Sequence, residues 1–160
     1  MSFTLSDIFL DGLFASIAGI GFGIISNPRP QVLWLCGVIA ALGHAVRFVL
    51  LAYSVPIVPA NFLSGLTIGI LSEAGAFWKK TPSETLAFPA LLPMIPGMYA
   101  YRTVEALISC LCNTQEETFR HYFYLLAYNG LTCTFIVLGM VVGATIPVFM
   151  FKKLSFTATR

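Results

Sequence analysis

Four ionisable residues stand inside apolar stretches of this chain, His44 and Arg47 in one and Arg102 and Glu105 in another. A charge at the centre of a bilayer costs about 2.5 kcal/mol or more, so such a residue faces a partner, a cavity or a pathway. A guanidinium presents five donors in a planar fork that matches a carboxylate, which makes carboxylate handling the first chemistry to consider. Within each pair the spacing is three residues, so both members share a helical face, and Arg102 and Glu105 could simply neutralise each other. Counted from the helix ends, Arg47 lies six before Tyr53 and Glu105 six before Leu111. Equal depth makes Arg47 and Glu105 an interhelical pair and leaves Arg102 for a substrate carboxylate; the assignment with the two arginines exchanged fits as well. The competing reading is a polar cluster that only fixes helix register. His44 suits either a backbone hydrogen bond or a proton relay. Glu73 is expected to reach the interface or pair near Lys79 and Lys80, and Asn61 and Asn129 to hydrogen-bond between helices.

The elements that must position these residues are helices in lipid. Of the 160 residues, 58% are hydrophobic and 10% charged, and the mean hydropathy is +0.85. Soluble domains carry charge on roughly a quarter of their residues, so the composition is that of an integral membrane protein. About 20 apolar residues cross a bilayer, and polar or proline-marked breaks divide the chain into five such segments, near 8–26, 32–53, 59–78, 86–112 and 121–151. The expectation is one all-α transmembrane domain over 1–160. The fourth segment is interrupted: Pro89, Pro93 and Pro96 each remove a backbone donor, and Gly97 follows, so the ladder opens near the bilayer midplane, roughly 10 to 15 Å from one end. Backbone of that kind is tolerated at depth only when buried in protein or lining a cavity, and a half-helix starting near Gly97 offers its positive end to an anion.

Basic residues at the loops set the orientation. Arg29, Lys79, Lys80, Lys152, Lys153 and Arg160 fall on one side, and Arg120 stands on the other beside Asp7, Asp11, Glu116 and Glu117. This places the N-terminus outside and the C-terminus in the cytoplasm. Trp34, Trp78, Tyr53, Tyr122 and Tyr124 fall at the expected helix ends, as amphipathic rings do. Asp7 and Asp11 stand where a signal peptide would be basic, so the first segment is expected to be a permanent helix. Glycines recur four apart at Gly19/Gly23, Gly65/Gly69 and Gly139/Gly143, a spacing that lets helices approach closely. Cys36, Cys110, Cys112 and Cys133 match neither a metal-site nor a disulfide spacing. No phosphate loop, zinc motif or nucleophile elbow occurs, so neither enzyme activity nor a cofactor is expected. A net charge of +2 without a basic face points away from nucleic acid.

Three stretches give the chain a family likeness: Gly21-Phe22-Gly23 through Asn27 and Pro28, Gly43-His44-Ala45-Val46-Arg47, and Pro93-Met94-Ile95-Pro96-Gly97 followed by Tyr101. In their order and spacing the chain resembles the small subunit of the threonine/serine exporter family, among whose members is a proposed succinate exporter working as a pair of unlike subunits. The resemblance covers nearly the whole chain. It implies export of a small carboxylate-bearing metabolite across the bacterial inner membrane, together with a larger transmembrane partner subunit; in fused relatives this region resembles the C-terminal half of one polypeptide. Proton-coupled alternating access is the expected energetics. Pro93, Pro96, Gly97, Tyr101, Arg102, Glu105, His44 and Arg47 are the candidate transport-path residues. The rival expectations are a noncatalytic assembly subunit and a channel-like homo-oligomer.

Overall fold

In a computed structural model that describes residues 5–26 and 28–151, the proline-rich stretch divides the chain. One compact unit runs to Met94 and resumes at Gly139; the other is Ile95–Leu138. The helices are α1 (Leu5–Ile25), α2 (Pro30–Ala52), α3 (Ile57–Lys79), α4 (Glu84–Leu91), α5 (Gly97–Cys112) and α6 (Glu116–Met150), with one 3₁₀ turn at Leu92–Met94. Among the described residues there is no strand, and four helices are long and apolar enough to span a membrane: α1 from Ser6, α2, α3 and α6.

The expected fourth segment is where the count differs. Its helix is split as the prolines require, into the eight residues of α4 and the sixteen of α5. Each half alone is shorter than a span. The break is spelled out at Pro96, which caps α5 with φ −78° and ψ 63°. Pro89 acts inside α4: without its N–H the carbonyl of Thr85 has no helical partner, and the Cys36 thiol of α2 lies 3.7 Å from it instead. The link expected over Asn113–Arg120 is shorter, since α6 already begins at Glu116. Tyr122 and Tyr124 are therefore inside α6 and not at its end. At 35 residues and 1.5 Å per residue, α6 is about 52 Å long and exceeds the hydrocarbon thickness. Lys152, Lys153, Arg160 and Asn27 lie outside the described residues.

The first unit is built on close backbone approach. A Cβ on Gly19 of α1 would meet Ala40 at 2.7 Å and the Cys36 carbonyl at 3.1 Å on α2. On α3, Gly65 and Gly69 face the Met140 and Ala144 carbonyls of α6, while Gly143 faces Phe62 of α3. These are the repeats seen in the sequence, used as helix-packing seams. α4 packs on α1, α2 and α3. The core joins Leu35, Cys36, Ile39 and Ala40 of α2, Ile68 and Ala76 of α3, Leu86 and Ala90 of α4, Met94 and Met140. Large apolar side chains such as Phe9, Phe14, Ile17 and Phe77 are exposed around it, the distribution that a hydrocarbon solvent permits and water does not.

The ends of this unit are chemically distinct. Trp34, near the start of α2, meets Trp78, at the end of α3, edge to face with ring centroids 5.9 Å apart. Lys79 Nζ lies 4.0 Å from the Trp78 ring centre and 5.8 Å from that of Trp34. An aromatic pair with a lysine on its faces is the chemistry of a headgroup boundary.

The second unit is a helical hairpin. α5 and the first part of α6 are joined by three residues, 113–115, and a Cβ on Gly130 would meet Thr103 Cγ2 at 3.3 Å.

Candidate functional site

The spacing on α5 and α6 builds the polar cavity of the second unit. Arg102, Glu105 and Ala106 are three and four residues apart on α5, and Tyr122, Leu125 and Asn129 repeat that step on α6, so each set shares a helical face. These faces, with Tyr128, wall a cavity of about 380 Å³. Arg102 and Glu105 are exposed and do not pair: among the described residues the contacts between acidic and basic side chains are Asp11 with His44 and Glu116 with Arg120. Asn129 is buried and its amide donates to the Leu125 carbonyl at 2.7 Å. It thus bonds within its own helix, as Asn61 does to Ile57, and not between helices. One wall thus carries a guanidinium and a carboxylate without partners, and the other carries two phenols and a buried amide.

The remaining candidates are distributed differently. Gly97 has nothing within 4 Å of the position of a Cβ, and its N–H donates to the Ile95 carbonyl at 2.8 Å. Tyr101 is largely exposed and is not part of the cavity wall. Pro93 sits in the 3₁₀ turn, whose Met94 is buried. The Ser64 hydroxyl of α3, with one proton to donate, lies within reach of the Gly43 carbonyl of α2 and 3.6 Å from the Met94 sulfur. Ser64 thereby ties the first half of the broken segment to two spanning helices.

His44 has a partner that the sequence reading did not supply. Its Nδ1 lies 3.1 Å from Asp11 Oδ2, joining α2 to α1. Its Nε2 is buried without a partner. Arg47 lies one turn further along α2. Asp11 was read as a flanking acid because it precedes a long apolar run; the structure puts it inside α1. Glu73 also differs from expectation: it is 6% exposed, and both carboxylate oxygens lack a hydrogen-bond partner. Lys79, the residue expected to meet it, is turned to the tryptophans.

A family model described as Threonine/Serine exporter, ThrE matches residues 11–150. The chain belongs to the threonine/serine exporter family. A Haemophilus influenzae protein described as uncharacterized is 29% identical over 143 residues, which are 89% of this chain and 47% of that protein. The chain thus spans about half the length of that relative. No solved structure matches it. The description of that family is that of an exporter. The family match includes all eight candidate residues and Asp11.

Proposed function

We propose that this exporter-family chain is one subunit of a bacterial inner-membrane exporter of small carboxylate metabolites, threonine/serine or succinate, acting with a larger partner subunit. The observation that carries the substrate reading is the α5–α6 cavity with Arg102 and Glu105 both unpaired on its wall. Arg102 holds the carboxylate, because its fork can donate two parallel bonds to it. Glu105 three residues on is suited to an ammonium group, and this favours a zwitterionic amino acid over a dianion. Arg47 lies one turn from His44, whose Nδ1 is 3.1 Å from Asp11 Oδ2, so Arg47 takes the architectural role beside that contact and Arg102 the substrate. Pro93, Pro96 and Gly97 keep the broken segment from closing into a rigid rod, and Tyr101 follows on the same half-helix. The partner subunit is what the likeness to the small exporter subunit implies, and the relative matched is about twice as long, this chain covering 47% of it.

Export assays on cells expressing the chain with its partner, and each alone, test this reading. Threonine or serine export requires both. Arg102→Ala raises the half-saturating concentration about tenfold or more, the loss of one charged hydrogen-bonding contact of about 1.5–3 kcal/mol, while Glu105→Gln impairs amino-acid export more than succinate export. Normal transport by correctly assembled Arg102→Ala protein would refute the site.

A further inference from the structure

Outside the cavity just described, the first unit holds a second unusual group. Glu73 of α3, buried and without a partner at either carboxylate oxygen, walls a separate cavity of about 260 Å³ whose other lining residues are Ile70, Ala74, Phe77 and Phe151. Every one of those side chains is apolar. An ionised carboxylate in apolar surroundings carries a large desolvation cost when it has neither a hydrogen bond nor a cation, and among the described residues Glu73 has neither. Two turns of helix would bring a surface carboxylate to water, yet here the chain keeps it inside a span.

Among the described residues, the neighbouring elements supply no countercharge. On α3, Lys79 is held over the Trp34 and Trp78 rings, and Lys80 is exposed beyond the helix end. On α2, Arg29 is exposed at the cap, Cys36 lies against the Val32 and Thr85 carbonyls, His44 meets Asp11, and Arg47 lies one turn beyond His44. Glu84 of α4 is exposed, and α6 from Gly139 to Met150 has no titratable side chain.

We propose that Glu73 is a proton-binding site of the exporter. One carboxylate oxygen gains a proton, forming a neutral O–H while the group faces the apolar cavity, and the same bond breaks when transport-linked movement admits water. This deepens the exporter reading and rests on it. Each proton bound from one side and released to the other would be exchanged for substrate movement.

Hydrophobic carbodiimides add to protonated carboxyls in apolar surroundings, so dicyclohexylcarbodiimide is the probe. The chain is purified with its partner, reconstituted in vesicles, treated across a pH series and mapped by peptide mass spectrometry. The expected result is an adduct on Glu73 that declines towards alkaline pH and is absent in Glu73→Gln. In the same vesicles Glu73→Gln, with an unchanged melting temperature, abolishes pH-gradient-driven transport but retains substrate exchange; Glu73→Asp restores part of the driven transport. Absence of the Glu73 adduct at every pH overturns the proposal, as does gradient-driven transport by Glu73→Gln at the native rate. Loss of partner assembly in Glu73→Gln also overturns it, because it marks Glu73 as an intersubunit ion-pair member. Labelling needs no substrate: a pH-dependent adduct in vesicles that export no carboxylate would sink the exporter reading and leave the proton site standing.

Discussion

At the scale of single residues, the chain separates its polar groups into ones with partners and ones without. Asp11 and His44 form a cross-helix contact at 3.1 Å, with the imidazole more buried than the carboxylate. Polar contacts between membrane helices contribute about 0.6 kcal/mol on average and about 1.7 at most, because the dissociated helices also find partners. Asp11→Asn should therefore lower stability by about 0.5–1.5 kcal/mol, read from denaturation in detergent. A double-mutant cycle with His44→Ala checks the assignment, since coupling near zero would show that the contact contributes nothing. Arg102 and Glu105 have the opposite character. Nothing among the described residues neutralises them, and a wall of uncompensated charge is suited to a ligand and not to holding helices together.

At the scale of elements, small residues decide how the spans meet and prolines decide where a span stops. Gly65, Gly69 and Gly143 bring α3 and α6 into backbone contact, so any side chain there drives the helices apart. Gly65→Leu and Gly143→Val should each destabilise by about 1–3 kcal/mol or prevent folding, as overpacking does. Gly21→Ala is the contrast, because nothing lies within 4 Å of its Cβ position and the melting temperature should stay the same or rise slightly. Equal melting shifts for the three variants would remove the packing seam. Both features were legible in the sequence: the four-residue glycine spacing and the run Pro89, Pro93, Pro96 and Gly97 have purely local consequences. The start of α6 was less legible, because Glu116, Glu117 and Arg120 resemble a loop by polarity while the i, i+4 pair of Arg120 with Glu116 at 3.2 Å suits a solvated helical turn.

At the scale of the whole molecule, the basic and aromatic residues point to one orientation. Trp34 and Trp78 meet in the first unit with Lys79 on their faces, so the start of α2 and the end of α3 lie at one end, together with Arg29 and Lys80. The connection between α2 and α3, at the other end, carries no lysine or arginine. The expected outcome is cytoplasmic Arg29 and Lys80 and an external Tyr53. Single cysteines placed at Lys80 and at Ser54 of a chain lacking its native cysteines check this: an impermeant maleimide added to intact spheroplasts should modify position 54 and leave position 80 unmodified. The reverse labelling pattern would invert the topology.

The amino-acid sequence by itself determined what depends on neighbours along the chain: membrane residence from composition, the proline break, the close-packing glycines and the family likeness. It also placed Arg102 and Glu105 on one helical face, since three residues along a helix settle that without reference to anything else. Tertiary structure alone decided the partners. Asp11 and His44 are 33 positions apart and meet only because α1 and α2 pack together; the second wall of the Arg102 cavity comes from α6; and Glu73 has no partner among the described residues, Lys79, six residues away, lying over tryptophans of two different helices. Helical periodicity fixes which residues share a face, whereas the pairing of one face with another is set by packing over the whole bundle.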